Sequence, residues 1–183
     1  MRYHNISKDD ISNGDGIRAV LWVSGCTHAC PGCHNPVTWN KDGGLFFDKE
    51  AKEELWTELE KSYVAGITFS GGDPLAWFNR NEVLDLMAEV KSAFPNKTVW
   101  VYTGYTKEEL MEDKETWARL TLLADVIVEG RFVQEKACVP YHWAGSTNQR
   151  VLRKESNFEI NTSQGTGQSS RQTEEDLEYD ERE

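Results

Sequence analysis

Apolar positions along the chain fall into two alternating periods. Residues 17–23 (IRAVLWV) form a short β-branched and aromatic run, which predicts a strand. Asp48 opens a stretch to about Tyr63 in which Leu55, Trp56 and Leu59 recur at helical spacing, so a helix capped by Asp48 is expected. A second strand is predicted at 66–69, ending in the turn Ser70-Gly71-Gly72-Asp73-Pro74. Residues 79–94 repeat the helical period through Val83, Leu84, Leu86, Met87 and Val90. A strand follows at 98–102. Thr106 then starts a third helix, with Glu109 three residues later completing a capping box. Residues 125–128 predict another strand.

Strands that alternate with helices build parallel βαβ units with right-handed crossovers. A closed eight-fold barrel takes about 250 residues, and this chain has 183. The expected fold is therefore α/β, as a small partial (βα) barrel or an open sheet. In both, ligands sit at the carboxyl ends of the strands. The loop after the first of these strands and the glycine pair after the second should share that edge.

The final segment differs in composition. Residues 164–172 (QGTGQSSRQ) are polar and of low complexity, and an acidic stretch follows. Residues 158–183 hold eight acids against two arginines, more than half of the net charge of −11. So little apolar area does not offset the entropy of ordering. The chain therefore divides into a body, 1–157, and an acidic tail, 158–183, expected to be disordered. The body is itself net negative, which argues against nucleic-acid binding. The sequence has no apolar run long enough for a membrane span and no basic-then-apolar leader, so a cytoplasmic protein without a membrane partner is expected.

The candidate chemistry lies between residues 24 and 40, a stretch rich in Gly, Cys, Pro and His with no helical period. Cys26, Cys30 and Cys33 are spaced C-x3-C-x2-C, and Cys138 stands far away. Clustered cysteines in a reducing compartment read as metal ligands. Three thiolates can hold three irons of a four-iron cluster and leave one iron open. A structural zinc site completed by Cys138, His4, His28, His34 or His142 is the alternative, as is an electron-transfer cluster. Cys138 reads as an incidental thiol, and His28 as facing solvent. Gly71-Gly72 alone reads as a tight turn, and Asp73 as a helix cap. The segment Asn13-Gly14-Asp15-Gly16 with Arg18 is either an anion-binding turn or a plain loop. Trp22, Trp100 and Trp117 read as core. Thr103, at a strand end, is a candidate ligand contact, and WAGSTNQR at 143–150 is a candidate for the mouth of the site.

C-x3-C-x2-C after a first strand resembles the signature of the radical S-adenosylmethionine superfamily. Many members carry an aromatic residue before the third cysteine, where this chain has Gly32. One branch shares the glycine: the activating proteins of anaerobic, glycyl-radical ribonucleotide reductases. The resemblance to it runs through NGDGIR (13–18), SGCTHACPGCHNPVTW (24–39), FSGGDPL (69–75), VWVYTGY (99–105), DVIVEGRF (125–132) and WAGSTNQRV (143–151). Asp15 stands where the family has proline. His34 stands where this branch commonly has tyrosine and the related pyruvate formate-lyase activating enzymes often have histidine.

The resemblance implies a 4Fe-4S cluster on Cys26, Cys30 and Cys33, and S-adenosylmethionine held by Gly32, Cys33, His34, Gly71 and Gly72. It implies reductive cleavage of that cofactor and a glycyl radical raised on the large subunit of the anaerobic reductase. A flavodoxin- or ferredoxin-like electron donor follows, since cysteine-held clusters have potentials near roughly −400 mV. Activation of pyruvate formate-lyase or another glycyl-radical enzyme, a radical enzyme acting on a small molecule, and a zinc-binding interaction module stand as alternatives.

Overall fold

The computed structural model describes residues 1–158; the expectation of a disordered tail otherwise falls outside the described residues. A seven-stranded sheet organises the chain, with strands β1 (Arg2–Asp10), β2 (Ile17–Val23), β3 (Leu45–Phe46), β4 (Val64–Gly71), β5 (Thr98–Tyr102), β6 (Val126–Glu129) and β7 (Arg150–Arg153). Their order is β3-β1-β2-β4-β5-β6-β7. The central four, β2, β4, β5 and β6, run parallel, as the alternating pattern predicts. Antiparallel strands flank them: β1 pairs with β2 and β3 on one side, β7 with β6 on the other.

Four helices connect the parallel strands: α1 (Lys49–Leu59), α2 (Arg80–Ala93), α3 (Lys107–Glu112) and α4 (Lys114–Leu123). Asp48 caps α1 by accepting from the Ala51 amide at 3.0 Å. The capping box of Thr106 and Glu109 is present at α3. The single helix expected from Thr106 is two. Asp113 leaves helical geometry (φ −96°, ψ 90°), and its carboxylate caps α4 by accepting from the Thr116 amide.

Side chains on a strand alternate between faces, and here the two faces have different fates. Ala19, Leu21, Val23, Ile67, Phe69, Val99, Val101, Ile127 and Leu152 pack with Leu55, Leu59, Val83, Met87 and Leu120 in one large core. The opposite face carries Trp100, Val126 and Val128, packed with Tyr102, Trp143 and Val151. Parallel sheets usually bury both faces with helices. Here the buried helical residues belong to the first core alone, and the second face is covered by the segment between β6 and β7. That segment forms a strap, with an isolated bridge from Ala137 to Ser146.

Arg18 lies on the strap-side face and is fully buried. It donates to Thr68 Oγ1, the Asp15 carbonyl, Thr98 Oγ1 and the carbonyls of Ile67 and Thr98, at 2.7–3.0 Å. Burial lowers its pKa to about 10. These bonds engage all five guanidinium N–H groups, so the segment 13–18 is a structural turn and not an anion site. Phe158, the first residue of the expected tail, is buried in the main core against Trp117. Its carbonyl accepts from Lys107 Nζ, so the ordered body reaches it.

Candidate active site

The loop after β2 and the turn after β4 meet through backbone bonds. Gly72 N donates to Val23 O at 2.8 Å, and Asp73 N donates to Gly25 O at 2.7 Å. Gly71 has φ +99°, and a Cβ on Gly72 would strike the Gly25 carbonyl. Glycine is required at both positions, one for its conformation and one for close approach. Sequence spacing put both motifs on one edge of the sheet, and the structure joins them there.

Cys26, Cys30 and Cys33 lie on the loop following β2, each half-buried and none in a disulfide. The loop is pinned at its far end, where Gly25 N donates to Thr38 O and Cys26 N to Trp39 O. Cys33 N donates to Cys30 O at 3.1 Å. Asn35 N donates to Cys33 Sγ at 3.4 Å. Burial pushes the Cys26 thiol up to about 11, partly opposed by hydrogen bonds from the backbone of His28 and Ala29. Amide donors aimed at sulfur are what a cluster thiolate takes, and they tune its potential.

The alternative of zinc finds no set of ligands here. Among the described residues no three His, Cys, Asp or Glu side chains come close enough to bind one ion between them. A zinc ion draws its ligands to about 2.0–2.3 Å, whereas in a four-iron cluster thiolates bind different irons and need not converge. His28 is engaged with Asp73, His34 packs on Phe132 and His142 on Trp143. The donor set of three half-buried thiols on one loop, with amides directed at sulfur, fits a cluster.

A cavity of about 720 Å³ opens at the carboxyl ends of β2, β4 and β5, where Trp22, Ser70 and Tyr102 form its floor. Cys33 and His34 line it, and the strap supplies its opposite wall through Tyr141, His142 and Trp143. Among the described residues, none that lines it is Lys, Arg, Asp or Glu. Of the expected cofactor contacts, Gly32, Gly71 and Gly72 lie outside its lining. Gly32 (φ +72°) sits under Gln134, whose Oε1 would be 2.7 Å from a Cβ there. A side chain at this position would have to displace Gln134. Trp22 was expected in the core; it is half-buried, lines the cavity and donates to Ser7 Oγ at 2.7 Å. The expectation for 143–150 is met in part: Trp143, Ala144, Gly145 and Gln149 line the cavity, while Arg150 begins β7.

Three readings are corrected by hydrogen bonds distant in sequence. The His28 side chain is 5% exposed and does not face solvent. Its Nε2 lies 2.7 Å from Asp73 Oδ2. Asp73 is 1% exposed and is not the cap of α2, whose N-terminal flank is Asn79. The Thr103 hydroxyl lies 3.0 and 3.1 Å from the two carboxylate oxygens of Asp73, which also receive the Leu75 and Gly104 amides. Thr103 therefore supports the site from behind.

Residues 12–152 match the family described as a 4Fe-4S single cluster domain. This is the class of protein that the cysteine loop and the cavity beside it define. The anaerobic ribonucleoside-triphosphate reductase-activating protein of Haemophilus influenzae is 40% identical over 155 residues, 84% of this chain and 98% of that one. That of Enterobacteria phage T4 is 40% identical over 151 residues, 82% and 93% of the two chains. That of Escherichia coli K12 is 39% identical over 153 residues, 82% and 97%. The chain belongs to the family of anaerobic ribonucleoside-triphosphate reductase-activating proteins.

Proposed function

We propose that this protein activates an anaerobic ribonucleoside-triphosphate reductase by raising a glycyl radical on its large subunit. The observation that carries the proposal is the junction of the three-cysteine loop with the Gly71–Gly72 turn, in a chain of this family. Cys26, Cys30 and Cys33 would each hold one iron of a 4Fe-4S cluster, leaving the fourth for S-adenosylmethionine. Held there, the cluster would supply the one-electron reductive cleavage of S-adenosylmethionine that raises a glycyl radical on the reductase.

The protein's own residues position these parts and exclude competing reactions. The Gly71–Gly72 turn offers bare backbone to the amino group of S-adenosylmethionine. Gly32, Cys33 and His34 supply backbone and an imidazole ring for its adenine. The neutral cavity beside them admits a loop of the partner, because reacting atoms must come within about 3–3.5 Å. Consecutive parallel strands with helices on one face support a partial barrel of the radical S-adenosylmethionine type. The body of residues 1–157, extended to Phe158, is the catalytic unit, and the acidic remainder is an appendage. A flavodoxin- or ferredoxin-like donor supplies the electron, in the reducing cytoplasm where thiols stay free.

The test is anaerobic reconstitution with iron and sulfide, followed by dithionite and S-adenosylmethionine. We expect 5′-deoxyadenosine, its loss in Cys30→Ala, and a glycyl radical signal when the reductase is added. Zinc without sulfide in the purified protein, or no 5′-deoxyadenosine from a well-loaded cluster with reductase present, overturns the proposal.

A further inference from the structure

The imidazole of His28 departs from the middle of the Cys26–Cys30 interval and enters the protein. It rests on the backbone of Gly104, where a Cβ would collide with its ring, and Tyr105 stands edge-on to it at 4.6 Å. Its Nε2 reaches Asp73 Oδ2. A carboxylate only accepts hydrogen bonds, so Nε2 carries the proton and donates. Asp73 directly follows the Gly71–Gly72 turn. Its carboxylate gathers donors from three places: its own turn (Leu75 N), the end of β5 (Thr103 Oγ1, Gly104 N) and the cysteine loop (His28). Asn79 Nδ2 adds a second tie, donating to Ser24 O and Asp73 O. The loops after β2, β4 and β5 thus converge on one buried carboxylate. Within the interval between Cys26 and Cys30, His28 is the residue that reaches it.

We propose that His28 is a positioning residue, whose hydrogen bond to Asp73 sets the cysteine loop against the Gly71–Gly72 turn and so fixes the seat of S-adenosylmethionine relative to the cluster. This rests on the function proposed above. Ala29 is held at φ +46° next to it, a conformation that non-glycine residues adopt rarely. The His28 anchor keeps the loop in this shape. Removing the donor leaves a buried carboxylate short of a partner and lets the loop shift. The first quantity to suffer is then the affinity for S-adenosylmethionine, and not the supply of thiolates.

Three variants of the full chain separate this role from simple packing. His28→Leu fills the space without a donor. His28→Gln restores an N–H near the position of Nε2. Thr103→Val removes a donor to Asp73 from outside the cysteine loop. Each is reconstituted anaerobically, and iron and sulfide per chain are measured with the unfolding midpoint of the apoprotein. The EPR signal of the reduced cluster is then titrated with S-adenosylmethionine. A lost charge-assisted hydrogen bond weakens binding about tenfold or more. We expect that loss in His28→Leu, a smaller one in Thr103→Val and substantial recovery in His28→Gln, with wild-type iron in the Thr103 and Gln variants. Failure of His28→Leu to load a cluster that His28→Gln does load overturns the inference, because His28 then serves assembly of the cluster and not the seat of S-adenosylmethionine.

Titrations of His28→Leu and Thr103→Val that match wild type overturn the inference, as does a His28→Gln no better than His28→Leu. A wild-type protein that forms no cluster overturns the proposed function, and this inference with it. The two failures are therefore distinct.

Discussion

Arg18 occupies the floor of the molecule as a buried cation bonded to neutral oxygens. The Trp100 ring lies 5.3 Å from its guanidinium carbon, adding cation–π attraction. Arg18→Met keeps much of the volume but strands the carbonyls of Ile67 and Thr98 without their donor. The Ile67 carbonyl is buried, whereas Thr98 is an exposed residue at the start of β5 that water reaches. One buried acceptor left unpaired costs about 1–3 kcal/mol, so a loss of about 1–3 kcal/mol is expected in urea denaturation of the apoprotein. An unchanged midpoint would show that water or a shifted side chain satisfies those oxygens. At this scale the sequence was only partly readable. Cys26, Cys30 and Cys33 stand out because their spacing is local. His28 and Asp73 do not, because 45 residues separate them and neither periodicity nor composition encodes a side-chain bond over that distance. Arg18 in sequence reads as part of an anion-binding turn or a plain loop, since four of the five bonds it makes go to Ile67, Thr68 and Thr98, far away in sequence.

Elements with local signals were the legible ones. β5 matches its predicted bounds at Thr98–Tyr102, and the capping box of α3 forms as read. β1 escaped notice because only Tyr3 and Ile6 of its nine residues are buried, so its apolar alternation is faint. β7 spans four residues, Arg150–Arg153, too few to show a period. Its first residue is nonetheless an anchor. Arg150 pairs with Glu129 on β6 and with Glu108 on α3. Glu129 is 1% exposed, and its carboxylate also receives the Lys107 amide. Arg150→Ala leaves that carboxylate without its counter-charge, and breaking a buried pair from one side costs about 3–5 kcal/mol. A fall of that order should appear in equilibrium unfolding near neutral pH. Glu108 sets part of the pH dependence. Hydrogen bonding to Arg150 lowers its carboxyl from 4.5 to about 2. Because the folded value is the lower one, its contribution is present above about 4.5 and lost as the pH falls towards about 2. Glu108 is largely exposed, so that part is small and weakens with salt. The difference between wild type and Arg150→Ala should therefore narrow in acid.

The whole molecule is a sheet with a division of labour between its faces. Helices and an aliphatic core occupy one side, while polar and aromatic side chains with a strap occupy the other. The alternation of strands and helices made the parallel centre readable, and the small chain length pointed to incomplete closure. The antiparallel edge strands β3 and β7 were not foreseen, because each spans only two to four residues and pairs on one side. Nor was the strap's contact with the floor. Trp143 Nε1 donates to Asp15 Oδ1, and Arg153 pairs with the other oxygen of that carboxylate. Asp15 stands where the resembled family carries proline, which has no side-chain acceptor. In this chain it ties the strap to the opposite end of the sheet from the cysteine loop.

Among the described residues the cavity wall carries no Lys, Arg, Asp or Glu, although the chain as a whole has a net charge of −11. A ligand approaching this opening meets the field of distant carboxylates and not that of the wall itself. Ions screen such a field beyond about 10 Å at 0.1 M salt. Raising the ionic strength from about 0.1 to 0.5 M should then leave the dissociation constant for S-adenosylmethionine, followed by titration of the loaded protein, within about twofold. A steep salt dependence would mean that charged groups outside the cavity capture the ligand first. The walls themselves thus sort what enters by shape and uncharged contacts, and charge inside the chamber would come from the cluster that Cys33 helps to hold.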